Sequence, residues 1–165
     1  MRPREEHRRV RAIPVAVGEL RVSVDTHSYL VSYSLSSCIA IGVYDPSARI
    51  GAMLHFMLPD SHADPRQAAL CPALFADTGV ALLLARLKML GCAGHGLRVR
   101  LAGGAQVISG QGTQALGKRN YLAARKVLWK ASLTVEGETV GGSKLRQLGL
   151  PIDSGRFWVR DIEYP

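Results

Sequence analysis

Cys38 and His55 are the residues of this sequence whose chemistry and spacing fit each other most directly. A thiolate is a strong nucleophile, and an imidazole held beside a thiol can take its proton. The two lie 17 positions apart, in apolar runs rich in β-branched residues, Cys38 to Tyr44 and Ile50 to Met57. Between them stands the turn signal Asp45-Pro46-Ser47-Ala48-Arg49, so the stretch predicts a strand, loop, strand hairpin. In an antiparallel pair the start of one strand faces the end of the next, which lets Cys38 and His55 meet. Just before the cysteine, Leu35-Ser36-Ser37 is small, polar and turn-forming. Such a segment suits backbone N–H groups aimed at a developing oxyanion, with Ser36 and Ser37 as the candidate residues. The same spacing also suits a buried core thiol and a satisfied core histidine.

The elements that must position this hairpin read as one α+β domain, with mixed or antiparallel sheet and helices packed outside. A chain of 165 residues suits a single core, here residues 13–165, preceded by a basic arm over residues 1–12 with five arginines against two glutamates. Ile13 to Val24 alternates around Gly18-Glu19 as two short strands or one bent one, and Tyr29 to Tyr33 is a further β-prone run. The polar segment DSHADPRQAALCP after Pro59 is expected to be a surface loop on the substrate rim, with His62 a weaker rival base. Val80, Leu83, Leu84, Leu87 and Leu90 have helical spacing, with Asp77 or Thr78 as cap and Gly91 as stop. Leu97 to Ala102 reads as a strand running into Gly103-Gly104-Ala105. There, close backbone approach at Gly104 and contacts from Gln106, Gln111 or Thr113 are expected at the site. Lys118 to Lys130 reads as a second helix, on which Asn120 is expected to make a helix-start hydrogen bond. Ser132 to Val140 and Arg156 to Ile162 supply the last strands, on either side of Gly141-Gly142.

Composition narrows the function classes. Three cysteines at irregular spacing make no disulfide framework and fit a reducing cytoplasm. The histidines at 7, 27, 55, 62 and 95 are scattered, with no ligand spacing among them, so no metal is expected. Neither GxxxxGK[ST] nor GxGxxG occurs, which argues against a nucleotide, and no other cofactor is expected. No apolar run approaches the ~20 residues of a membrane span, and the charged N-terminus lacks a signal-peptide core, so neither membrane insertion nor secretion is expected. A net charge of +8 favours acidic partners. Nucleic acid is disfavoured, because only 6% of residues are aromatic and no recognition motif is visible.

The run LSSCIAIGVYDPSARIGAMLHFMLPD resembles the signature of the chemoreceptor glutamine deamidase family, CheD, whose pattern is LGSCV-x-V-x-x-YDP followed by GG-x-x-HFMLP. Similar residues follow in family order: Phe75-Ala76-Asp77-Thr78, Gly103-Gly104-Ala105, Gly117-x-Arg119-Asn120, and Val140-Gly141-Gly142 with Arg146. The resemblance implies a cysteine hydrolase that converts receptor glutamine side chains to glutamate, with Cys38 as nucleophile and His55 as base. The third family position, usually a threonine six residues before the cysteine, falls on Ser32, which keeps a hydroxyl for orienting the imidazole. The family's glycine before Ser37 is Ser36, which would be strained if that backbone needs φ > 0. Leu145 stands where the family usually has glycine. The implied partners are the cytoplasmic region of chemoreceptors and a CheC-type phosphatase. The alternative is a regulatory binding module with weak or secondary hydrolase activity, receptor methylesterase included.

Overall fold

A computed structural model describes residues 9–92, 94–106 and 114–163, without the side chains of 114 and 115. The hairpin between Cys38 and Met57 forms as expected. β4 (Ile39–Asp45) and β5 (Ile50–Phe56) pair antiparallel, with Ile39 opposite Phe56 and Ala40 opposite His55. Every residue of both strands is buried, because the hairpin sits in the middle of a five-stranded sheet. β2 (Glu19–Ser23) flanks β5, while β6 (Arg98–Gly103) and β7 (Val135–Val140) continue beyond β4, giving the order β2-β5-β4-β6-β7. A second sheet has the order β1-β3-β8-β9, built from β1 (Arg11–Pro14), β3 (Ser28–Leu35), β8 (Leu145–Pro151) and β9 (Trp158–Ile162). Both sheets are mixed, since β1 runs parallel to β3 and β6 parallel to β7.

Side-chain alternation along the hairpin feeds two cores. Ile39, Ile41, Val43, Leu54 and Phe56 face the helices α2 (Ala76–Met89) and α3 (Gln114–Lys130), meeting Val80, Leu83, Ala124 and Leu128. Ala40, Tyr44 and Met53 point the other way, against Leu30, Leu35, Leu148 and Leu150 of the second sheet. The architecture is therefore helices on sheet on sheet, the expected α+β class with helices outside.

The structure differs from the local expectations at four places. The stretch after Pro59 is not a plain loop: it holds a 3₁₀ turn over Ser61–Ala63, the short helix α1 (Pro65–Leu70) and a second 3₁₀ turn over Pro72–Leu74. Pro65 starts α1 instead of breaking it, because the first helical N–H needs no partner, and the Asp64 carboxylate accepts the Gln67 N–H at 3.0 Å. α2 begins earlier, with Phe75 at its cap position and no side-chain cap; Thr78 donates to the Pro72 carbonyl at 2.7 Å instead. β8 has no counterpart in the sequence reading, although it lies in the interior of its sheet. At the N-terminus, Arg11 and Ala12 already belong to β1, opposite Ser28 and Tyr29.

Candidate active site

The register places Cys38 and His55 at the same end of the hairpin. Ala40 lies opposite His55, so those two point to the same side of the sheet, and Cys38 stands one residue before the paired register begins at Ile39. That side carries Met53 and faces the second sheet. The antiparallel pairing therefore sets the end of β5, which carries His55, beside the start of β4, which Cys38 immediately precedes. Cys38 sits one residue before β4 begins and is 6% exposed, and His55 is 3% exposed.

The imidazole is oriented by a backbone carbonyl. His55 Nδ1 lies 3.1 Å from the Val15 oxygen, so Nδ1 carries the proton and Nε2 is left with a lone pair. Nε2 is buried and has no hydrogen-bond partner among the described residues, the thiol included. Val15 is itself held: its N–H donates to Val31 at 2.8 Å, and the turn that follows is closed by Gly18 N–H on the His55 carbonyl at 2.7 Å. Glu19 ties the same turn, accepting the Ala16 N–H at 3.0 Å. Ser32, fully buried on β3, donates to the same Val15 oxygen at 3.1 Å and lies 3.4 Å from Met53 Sδ. Its hydroxyl therefore reaches His55 through the Val15 carbonyl and not directly.

The segment around Cys38 is pinned through three consecutive carbonyls. Ser36 O accepts Ala105 N–H at 2.7 Å, Cys38 O accepts Gly104 N–H at 2.8 Å, and Ser37 O accepts Asn120 Nδ2 at 2.9 Å. In a planar trans peptide the N–H points opposite to the C=O, so these bonds also fix the Ser37 and Cys38 amides. Among the described residues, neither of those two amides donates to a protein acceptor. The Gly104 amide, expected at the site, is committed to the Cys38 carbonyl and braces the loop. Ser36 is not among the positive-φ residues, so serine holds the family's glycine position there without left-handed strain. Only glycine fits at 103, where φ is 113° and a Cβ would lie 2.1 Å from the Cys38 oxygen.

Asn120 is a correction to the sequence reading. It lies inside α3, fully buried, and its Nδ2 donates to Ser37 O and also to Met57 O at 2.7 Å. Its partners are the carbonyls just before β4 and just after β5, not its own helix start. Arg146 was likewise visible only as a motif residue; its Nη1 donates to Gly141 O at 2.6 Å, and Gly141 N–H donates to Gly103 O at 3.0 Å. This buried guanidinium, with Nε 3.4 Å from Asp161, ties the Gly141-Gly142 loop to the Gly103 turn. Gln106 is exposed with its N–H on Gly142 O at 2.7 Å, while Gln111 and Thr113 lie outside the described residues.

Burial sets the protonation of the pair. Desolvation holds the His55 pKa below its ordinary 6.5, against weaker opposing effects of the Val15 hydrogen bond and the Glu19 charge. Desolvation raises the Cys38 thiol above its ordinary 9.0, offset in part by its own backbone amide. The resting pair is a neutral thiol and a neutral imidazole, an arrangement suited to general-base activation. His62, the rival base, is exposed and held by Asp60 at 2.7 Å. Asp60, His62 and Asp77 converge beside a cleft of about 460 Å³ lined also by Arg119, Leu122 and Lys126, which contains neither Cys38 nor His55.

Comparison with known proteins extends over this whole arrangement. The family described as CheD chemotactic sensory transduction matches residues 57–161. The chain is 44% identical over 149 residues to the probable chemoreceptor glutamine deamidase CheD of Solibacter usitatus, covering 90% of this chain and 88% of that protein. It is 41% identical to a probable chemoreceptor glutamine deamidase, CheD 2, of Anaeromyxobacter dehalogenans, covering 90% of this chain and 93% of that protein. It is also 33% identical to the chemoreceptor glutamine deamidase CheD of Thermotoga maritima, covering 90% of both. On a family match to more than half of its length and relatives that span nearly all of it, the chain belongs to the CheD family.

Proposed function

We propose that this protein is a chemoreceptor glutamine deamidase acting in chemotaxis, and that it works through Cys38. The observation that carries the catalytic reading is the state of His55: Nδ1 fixed on the Val15 carbonyl, Nε2 without a partner among the described residues, at the end of β5 that pairs with the start of β4, just after Cys38. The relatives' names supply the substrate class, a receptor glutamine side chain.

In this mechanism, rotation of the Cys38 side chain brings the thiol to Nε2, closing a contact that is open at rest. Nε2 takes the proton while Sγ attacks the side-chain amide carbon, and the Ser37 and Cys38 amides hold the oxyanion. The imidazolium gives its proton to the departing ammonia, leaving a glutamyl thioester. His55 then activates water, the thioester breaks, and glutamate leaves with the thiol restored. Ser32 and Val15 hold the imidazole in the required tautomer. Chemoreceptor cytoplasmic regions are the partner, and the net charge of +8 would favour acidic helices among them. A CheC-type phosphatase is a second proposed partner, supported by the family resemblance alone.

The test incubates the protein with receptor cytoplasmic fragments and follows them by peptide mass spectrometry and ammonia release. Glutamine converted to glutamate with matching ammonia is the expected result. Methanol release from methylated fragments without ammonia would make the protein a methylesterase instead. No change in either would leave the binding-module alternative.

A further inference from the structure

Asn120 is a fully buried polar side chain on α3, an element that supplies neither the nucleophile nor the base. Both protons of its amide are used, one on Ser37 O at 2.9 Å and the other on Met57 O at 2.7 Å. Those carbonyls flank the chemistry, since Ser37 precedes the nucleophile and Met57 follows His55 by two residues. The amide cannot be flipped, because Oδ1 would then face two carbonyl oxygens. Oδ1 has no protein donor among the described residues, so the burial is justified by the two Nδ2 bonds alone.

The backbone of α3 reaches this position through Gly117. A Cβ at 117 would lie 2.6 Å from both the Gly104 and the Ala105 oxygens, so the helix approaches that turn only without a side chain there. Residues three apart share a helix face, and Asn120 is thereby brought against the loop before Cys38. The trans peptide between Ser37 and Cys38 does the rest. With its C=O drawn towards Asn120 on α3, its N–H points the opposite way, away from that helix.

We infer that Asn120 is a positioning residue for transition-state stabilisation: it sets the Ser37–Cys38 peptide so that the Cys38 N–H faces the oxyanion, and it locks that peptide to the strand bearing His55. The inference rests on the thiol mechanism proposed above. It makes a specific division of effects. A misaligned oxyanion donor slows acyl transfer, whereas alkylation of the thiol by iodoacetamide develops no oxyanion and depends on the thiolate fraction and on access to the sulfur.

The experiment compares full-length wild type with Asn120→Ala and Asn120→Ser, measuring kcat and KM for deamidation of a receptor fragment and the rate of Cys38 alkylation by iodoacetamide. Near-UV circular dichroism and thermal melts check the fold. The expected result is a fall in kcat of roughly 10²- to 10³-fold, the scale of a lost oxyanion donor, with KM and alkylation changed by no more than about threefold. Unchanged kcat in active, folded variants overturns the inference, as does an alkylation rate that falls in parallel with kcat. Loss of native near-UV signal in both variants makes Asn120 a residue of the fold and overturns it as well. Wild-type protein that releases no ammonia overturns the deamidase reading, and this inference with it.

Discussion

His55 Nδ1 meets the carbonyl oxygen of Val15 at 3.1 Å, and the Ser32 hydroxyl meets the same oxygen at 3.1 Å. A backbone carbonyl has two lone pairs, and here one holds the base while the other holds the hydroxyl. The imidazole tautomer is therefore set by main chain, with the side chain of Ser32 supporting the acceptor from the facing sheet.

That arrangement ranks two substitutions. His55→Ala removes the proton carrier and is expected to lower kcat by on the order of 10²- to 10⁴-fold. Ser32→Ala leaves the Val15–His55 bond in place, so activity should fall by less than about tenfold, with a stability loss of about 1 kcal/mol for one buried hydrogen bond. Steady-state kinetics and urea unfolding on the two variants check the order. A Ser32→Ala defect as large as that of His55→Ala would mean that the hydroxyl acts directly on the imidazole or the substrate.

The pH profile follows from burial. With the His55 pKa held below 6.5, the acid limb of kcat/KM should lie below 6.5, and with the thiol raised above 9.0, activity should persist through neutral pH on the neutral pair. A profile that rises only above pH 6.5 would contradict the desolvated base.

Stability has matching signs. As pH falls below 6.5 the unfolded chain protonates this histidine before the folded chain does, so the unfolded state binds more protons and stability drops. As pH rises past 9.0 the unfolded thiol ionises first, the folded state binds more protons, and stability drops again. Unfolding titrations should show the acid loss reduced in His55→Ala and the alkaline loss reduced in Cys38→Ala.

Gly103→Ala tests the turn beneath the nucleophile. The new Cβ would lie 2.1 Å from the Cys38 oxygen at a φ of 113°, both unfavourable for any L side chain. Strain of this kind costs on the order of 1–3 kcal/mol. At about 2–4 °C per kcal/mol for a chain of this size, Tm should fall by several degrees, and activity should fall with it. A stable, fully active variant would show that the Cys38 loop is not held from Gly103-Gly104.

The hairpin was legible because two buried strands on either side of Asp45-Pro46 leave continuous apolar runs, and antiparallel pairing then brings the start of β4, just after Cys38, beside the end of β5 that carries His55. The helix at Val80 to Leu87 was legible for the same reason of period. β8 was not, since Arg146 points inward, Gly149 lies mid-strand and Pro151 ends it, each arguing against a strand when read locally. Pro65 misled in the opposite direction, because a proline starts a helix as readily as it breaks one. The Val15 carbonyl could not be found at all: a main-chain acceptor leaves no trace in residue type. Asn120 left a trace as a motif residue, but its two partners come from segments 83 and 63 positions away, beyond what local pattern carries.

Deamidation of a receptor fragment by the three single-cysteine variants, Cys38→Ala, Cys71→Ala and Cys92→Ala, bears most directly on the proposed nucleophile. Glutamate formation should vanish for Cys38→Ala and persist for the other two, with a thioester-linked adduct trapped on wild-type Cys38 and on neither other thiol. Glutamate formed by Cys38→Ala at the wild-type rate would contradict it.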